Sequence, residues 1–307
     1  MSIALMITDR DLTQLYQGLK QKLPDVEITS WPTISIDRNV EFAVAWQHPK
    51  NMWQLLPNLK VVSSLGAGVD QLVTDKGRPA ELTLCRIVDT GLSAQMAEYV
   101  LSAVLAHQRQ LLSYVNDQQS KQWSFHPRRE GKNITILGLG AIGQEVANAL
   151  ITSGFNVSGW SRTKKELDGI TPYAGNAELA NAVQNADYVV SVLPATPETD
   201  DLLNLTLFKE MPSHACLINV GRGQALNEQD LTIALQNELL GFAVLDVFKQ
   251  EPLPKDHPFW TDPKVLVTPH ISAITDQQAV IDQIAENYMR FTQGKALINH
   301  VNSDKGY

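Results

Sequence analysis

The chain has 307 residues, 44% of them hydrophobic, which is enough for two ordinary domains with cores of their own. Its formal charge of −8, from 33 acidic against 25 basic residues, repels phosphates and argues against a nucleic-acid or anionic-membrane partner. Two cysteines, Cys85 and Cys216, stand outside any CxxC or ligand cluster, so neither a disulfide scaffold nor a metal site is indicated. The first ten residues lack a basic start and their apolar run breaks early, so they read as a first strand and not as a signal peptide. No apolar run approaches membrane-spanning length, and a soluble cytoplasmic protein is expected.

Residues 3–7, 26–30, 42–46, 61–65 and 84–87 read as strands, and the leucines of 11–23 have helical spacing. Ser93 can cap a long apolar helix over 94–114. A polar, irregular stretch follows over 117–132, with Trp123, Pro127 and two arginines. Next come a buried strand, the turn Gly138-Leu-Gly140-Ala-Ile-Gly143 and an amphipathic helix. Further strands are predicted at 156–160, 188–193, 217–220, 243–247 and 265–268. The last helix opens on a capping box, Thr275-Asp-Gln-Gln278, and runs to about residue 292. This order predicts a nucleotide-binding domain over about 94–274 inserted into a βα domain formed by 1–93 and 275–307. The two crossings between them can act as a hinge.

The glycine turn sets the first chemical expectation, a dinucleotide site. Gly138 permits the tight turn, Gly140 lets the backbone approach a pyrophosphate, and Gly143 lets helix and strand pack closely. The helix N-terminus then offers N–H groups and a positive dipole end to phosphate. An NAD site usually ends its second strand in Asp or Glu; here Trp160 is followed by Ser161-Arg162-Thr163-Lys164-Lys165. Arg162 can bond a 2′-phosphate bidentately, and Ser161 and Thr163 can add hydroxyl donors. The alternative reading is that Arg162, Lys164 and Lys165 are solvated surface charges. NADP(H) is therefore preferred, with NAD(H) possible.

Reactive side chains cluster at strand ends, where ligands bind in open parallel sheets. Leu217-Ile-Asn-Val220 runs into Gly221-Arg222-Gly223, the strand through Asp246 runs on to Glu251-Pro252, and Val265-Leu-Val-Thr-Pro269 ends at His270. A guanidinium, a carboxylate and an imidazole thus emerge at one edge of one sheet.

Four motifs in this order, Gly138-Leu-Gly-Ala-Ile-Gly143, Asn219-Val-Gly-Arg-Gly223, Leu245-Asp-Val-Phe248 with Glu251-Pro252, and Thr268-Pro-His270, resemble the D-2-hydroxyacid dehydrogenase family over nearly the whole chain. The glyoxylate/hydroxypyruvate reductase branch is the most similar, through Trp46-Gln-His-Pro49, Leu65-Gly-Ala-Gly-Val-Asp70, Asp89-Thr-Gly, Trp160-Ser-Arg-Thr163, Glu251-Pro-Leu-Pro254 and Gly306-Tyr307. The resemblance implies an α/β protein of two doubly wound domains, a Rossmann domain inserted into a flavodoxin-like substrate domain. It also implies NAD(P)H-dependent reduction of a small 2-oxo acid, such as glyoxylate or hydroxypyruvate, to the 2-hydroxy acid.

His270 is then the general acid, Glu251 fixes its tautomer and favours the imidazolium, and Arg222 binds the substrate carboxylate and polarises the carbonyl. Gly66-Ala67-Gly68 offers backbone N–H groups to the carboxylate as a nest, and Trp46 lines a small pocket. Ala141, Ile142, Leu193, Pro194 and Val220 lie along the nucleotide, with Asp246 near its nicotinamide amide. A homodimer is implied, with 94–132 as the candidate interface. Two other readings stay open, an NAD(P)-sensing regulatory protein of the same fold and a dehydrogenase for another D-2-hydroxy acid. His48, His107, His126, His214, His257 and His300 match no catalytic motif.

Overall fold

The structure, a computed structural model, describes residues 2–89 and 91–301. The chain divides into two compact units, Met1–Gly91 with Thr275–Tyr307, and Leu92–Ile274, so the boundary falls two residues before the expected 93/94. Thr90, Gly306 and Tyr307 of the sequence motifs lie outside the described residues.

Among the described residues the first unit holds a five-stranded parallel sheet: β1 (Ser2–Ile7), β2 (Ile28–Ser30), β3 (Val40–Trp46), β4 (Val61–Ser64) and β5 (Thr83–Cys85), in the order β2-β1-β3-β4-β5. This is the flavodoxin-like order. Every residue of β1 is buried, as expected of a strand covered on both faces. One face packs on Leu15 and Leu19 of the Thr13–Lys22 helix and on Val280, Ile281, Ile284, Ala285 and Tyr288 of the Gln277–Thr292 helix. Gly18 lets the Ile281 side chain press against the first helix. The Gln277–Thr292 helix is capped by Asp276, whose carboxylate accepts from the Ala279 N–H at 2.8 Å. The cap is thus one residue later than the Thr275 box predicted.

The second unit holds a seven-stranded parallel sheet among its described residues. Its strands are β6 (Asn133–Leu137), β7 (Asn156–Ser161), β8 (Ile170–Ala174), β9 (Tyr188–Ser191), β10 (Cys216–Asn219), β11 (Phe242–Leu245) and β12 (Val265–Val267), in the order β12-β11-β10-β9-β6-β7-β8. Counted from β6, this is the Rossmann order with a seventh strand added. Strand β8 was not predicted from the sequence. Its Pro172 cannot donate to a ladder, and β8 is accordingly an edge strand.

Two expectations before this sheet are corrected. The helix begins at Leu92, which puts Ser93 inside its first turn and not at the cap. The predicted single helix over 94–114 is two helices, Leu92–Gln108 and Leu111–Ser120, and the second runs into the stretch read as irregular. The break has a tertiary cause. Gln108 is buried and turned inward, donating to the Gly131 carbonyl and accepting from Arg128 at 3.2 Å, while Gln110 adopts φ of 53°.

No helix among the described residues is long and apolar enough to cross a membrane, and no cluster of His, Cys, Asp and Glu among them could hold a metal ion. Phe208 is fully buried between the Leu205–Glu210 helix and one face of the second sheet. Phe208→Ala is expected to cost about 3–5 kcal/mol through lost burial and the cavity left behind, read as a lower urea midpoint for the unfolding of this unit.

Candidate active site

Strand β6 lies between β9 and β7, the point where the sheet order reverses and a crevice opens at the strand ends. The glycine turn sits there. Gly138 has φ of 105°, which a side chain would resist, and its N–H reaches the Trp160 carbonyl at 2.8 Å. A Cβ on Gly143 would run into the Gly138 carbonyl oxygen, so this glycine lets the helix start against its own turn. Gly140 is different: an added Cβ would meet nothing within 4 Å, and both Gly140 and Ala141 are exposed. The turn therefore leaves open space over the N-terminus of the Ala141–Thr152 helix, where phosphate would be held by backbone N–H groups. Ile142 instead packs partly into the core.

The loop after β7 combines an exposed Arg162 with two anchored neighbours. The Ser161 hydroxyl donates to the Thr163 carbonyl at 2.8 Å, so it shapes the loop instead of standing as the spare donor expected. Lys165 is not a solvated charge, for its ammonium donates to the Leu139 carbonyl at 2.7 Å and pins the glycine turn. Leu193 and Val220 are buried core residues. The Pro194 carbonyl accepts the Thr199 hydroxyl at 2.6 Å.

The three reactive residues follow β10, β11 and β12, neighbours in one parallel sheet, so all three leave it at the same edge. Arg222 is flanked by glycines because other backbones close in on both sides. A Cβ on Gly221 would stand 2.5 Å from the Leu193 carbonyl oxygen, and one on Gly223 would run into the Phe248 carbonyl carbon. The Arg222 Nη1 donates to the Gly221 carbonyl at 2.8 Å. Glu251 accepts from the Phe248 N–H at 2.9 Å through Oε1 and meets His270 Nδ1 at 2.7 Å through Oε2. Burial pushes the Glu251 carboxyl up, but the His270 hydrogen bond and charge, the Phe248 N–H and the nearby Arg222 charge together hold it below the usual value. The carboxylate can only accept, so Nδ1 donates and Nε2 is the ring's remaining site for proton exchange.

Residues 101–272, more than half of the chain, match the family described as D-isomer specific 2-hydroxyacid dehydrogenase, NAD binding domain. Glyoxylate/hydroxypyruvate reductase A of Yersinia enterocolitica is 38% identical over 301 residues, 96% of each chain. The chain belongs to the D-isomer specific 2-hydroxyacid dehydrogenase family. The reductase of the same description from Serratia proteamaculans is 40% identical over 297 residues, covering 94% of this chain and 95% of the other. Among solved structures, an NADPH-dependent glyoxylate/hydroxypyruvate reductase from Sinorhizobium meliloti, in complex with NADP and sulfate, matches with a TM-score of 0.86 and 31% identity over 100% of both chains.

In this 2-hydroxyacid dehydrogenase, Asp246, expected near the nicotinamide amide, holds the chain after β12. It is fully buried, and its carboxylate accepts from the Thr268 hydroxyl at 2.6 Å, the Ile271 N–H at 2.9 Å and the Ser272 N–H at 2.8 Å. Its part is to brace the turn that carries His270. Sequence reasoning gave no role to Thr268, Lys165 or the Phe248 N–H. All three stand inside quoted runs, Lys165 after Ser161-Arg162, Phe248 in Leu-Asp-Val-Phe and Thr268 in Thr-Pro-His, but their partners lie elsewhere in the chain. The remaining histidines have structural partners: His48 with Asp75, His107 with Tyr188, His126 with Asp117, His214 with Asp187 and His257 with Glu228. His300 forms a backbone bridge with Cys85.

Trp46 and residues 66–68 belong to the first unit. The Trp46 ring lies beneath the Arg10 guanidinium, 5.5 Å from its centroid, and fills the space that a Cβ on Gly66 would need. Of the three N–H groups expected to form a nest, that of Gly66 is taken by the Ser64 hydroxyl at 3.3 Å.

The lowered pKa of Glu251 carries a prediction for stability. Its stabilising share is complete above the ordinary carboxylate range near about 4.3 and is lost as pH falls through the lowered folded-state value. The gap in unfolding free energy between wild type and Glu251→Gln, measured by urea titration, should be widest near neutrality and narrow as pH drops below about 4.

Proposed function

We propose that this chain reduces a small 2-oxo acid, glyoxylate or hydroxypyruvate, to the 2-hydroxy acid with NADPH preferred over NADH. The observation that carries this reading is the 2.7 Å bond from His270 Nδ1 to the Glu251 carboxylate beside the Arg222 loop, at the carboxyl edge of a sheet whose glycine turn leaves room for a dinucleotide. The names of the Yersinia, Serratia and Sinorhizobium relatives support the substrate class, and the Sinorhizobium complex supports the cofactor.

The residues present fit the nucleotide. Gly138, Gly140 and Gly143 shape the turn, the N–H groups from Ala141 onward would hold the pyrophosphate, and Arg162, with Thr163, would hold the 2′-phosphate. Bound NADPH supplies the hydride. Arg222 binds the substrate carboxylate and draws electron density toward the carbonyl oxygen. His270 delivers the proton to that oxygen from Nε2, while Glu251 holds Nδ1 and stabilises the imidazolium. In the reverse direction His270 takes the proton from the 2-hydroxy acid. A regulatory binding protein would need the nucleotide contacts but not this aligned proton donor.

The reading includes a homodimer formed through residues 94–132. Leu111 and Val115 are exposed on the second helix of this segment, and Trp123 and Phe125 stand 105% and 86% exposed beyond it, an apolar run that a second copy would cover. A cytoplasmic location accords with the two buried free thiols, Cys85 and Cys216.

Two outcomes test the reading. Wild type should oxidise NADPH in the presence of glyoxylate, and His270→Ala should lower kcat on the order of 100-fold or more; near-normal turnover in that variant would overturn the assignment. Arg162→Ala should shrink the NADPH-over-NADH preference in kcat/KM by roughly 1–3 kcal/mol, the worth of a charged hydrogen bond. Equal kcat/KM for both cofactors in wild type would remove the basis for NADP selectivity.

A further inference from the structure

We propose that Tyr99 and Gln95, one turn apart on the Leu92–Gln108 helix, are positioning residues that grip both ends of the His270 turn and so hold His270 against Glu251. This inference rests on the function proposed above and adds residues to it.

The turn needs such support because it has left the sheet. Strand β12 ends at Val267, and the Thr268 N–H makes the last bond toward β11, to the Leu245 carbonyl at 3.0 Å. From there to Ile274 the backbone N–H groups turn to other partners. His270 N–H reaches the Asp246 carbonyl at 2.9 Å, Ile271 and Ser272 reach the Asp246 carboxylate, and Ile274 reaches the Gln95 side-chain oxygen at 3.1 Å. Gln95 returns a bond from Nε2 to the Ile274 carbonyl at 3.0 Å, closing a two-bond clamp on the far end.

Tyr99 acts at the near end. Its hydroxyl lies 2.6 Å from the Thr268 Oγ1, which lies 2.6 Å from the Asp246 Oδ1. The carboxylate can only accept, so the single Thr268 hydroxyl proton goes to Asp246 and Tyr99 must be the donor to Thr268. The chain runs one way, Tyr99 to Thr268 to Asp246, and each bond polarises the next. Burial pushes the Tyr99 hydroxyl up to about 12, so it keeps its proton across the working range. Gln95 and Tyr99 are four residues apart, which places both on one helix face. The charged groups about His270 are Glu251 at Nδ1, Arg222 whose charge reaches Glu251, and Asp246 beneath the turn.

The test compares wild type, Tyr99→Phe, Gln95→Ala, Thr268→Val and Thr268→Ser, with His270→Ala alongside. NMR of the ring carbons, with His270→Ala supplying the assignment, follows the titration midpoint of His270. Steady-state assays with glyoxylate and NADPH follow kcat and KM across pH. Loosening the turn weakens the Glu251 bond that favours the imidazolium. Tyr99→Phe, Gln95→Ala and Thr268→Val should therefore move the His270 midpoint down by about half a pH unit. They should lower kcat about tenfold with both KM values within about twofold, and shift the alkaline limb of kcat with the midpoint. Thr268→Ser should restore the wild-type profile. A His270 midpoint unchanged in Tyr99→Phe and Gln95→Ala overturns the proposal, as does a Thr268→Ser profile no better than that of Thr268→Val. A shifted midpoint in an enzyme whose His270→Ala form still turns over upholds the positioning role and rejects the catalytic reading instead.

Discussion

Asp246 is fully buried, and a carboxylate without water persists in a protein only where donors take water's place. Thr268, Ile271 and Ser272 supply them, and the backbone carbonyl of the same residue receives the His270 N–H. One residue at the end of β11 thus organises the chain leaving β12 from two sides. The turn it organises carries His270 at φ of 56°, a conformation that a non-glycine residue adopts at a cost of about 1–3 kcal/mol and keeps only where neighbours over-determine it. Removing the donors would leave a buried charge unpaired, so the turn cannot relax without a larger penalty elsewhere.

The same edge shows how close backbone packing becomes chemistry. Gly221 and Gly223 have no room for a side chain, one against Leu193 and the other against Phe248. That crowding presses the Arg222 loop between the chain leaving β9 and the chain leaving β11. The Phe248 region pressed by Gly223 also gives its N–H to Glu251, so Arg222 and Glu251 are placed by a common stretch of main chain. The influence of Arg222 on the Glu251 carboxyl follows from that arrangement.

Much of this could be read from the sequence because it rests on local rules. Alternating strand and helix patterns give a parallel sheet, and a parallel sheet puts Arg222, Glu251 and His270 on one edge however far apart they lie in the chain. The glycine turn was legible because its backbone demands are local. The unread parts depend on tertiary partners. The break at residues 109–110 follows from Gln108 turning inward to Gly131, which no periodicity reveals. Strand β8 was hidden by Pro172, tolerable only because β8 proved to be an edge. Asp246 was assigned toward the nucleotide because motifs carry residue identity without burial. Only the surroundings show its carboxylate already committed to the His270 turn.

That commitment also bears on what the edge is for. A site that only sensed a nucleotide needs the glycine turn and a cation for phosphate, and these are supplied by the loops after β6 and β7. Nothing in that task asks for an imidazole held off its relaxed backbone, with one nitrogen fixed at 2.7 Å from a carboxylate. Fixing Nδ1 as a donor leaves a single nitrogen for exchange, and fixing the ring leaves it a narrow range of directions, the conditions under which proton transfer gains from position. Strain at His270 and a buried charge beneath it are two separate costs borne at one turn, and the Glu251 carboxylate beside the ring is stabilised by it. On the function proposed above, the turn carries them together to move a proton, and the nucleotide turn, two strands from β10, would hold the partner for that step.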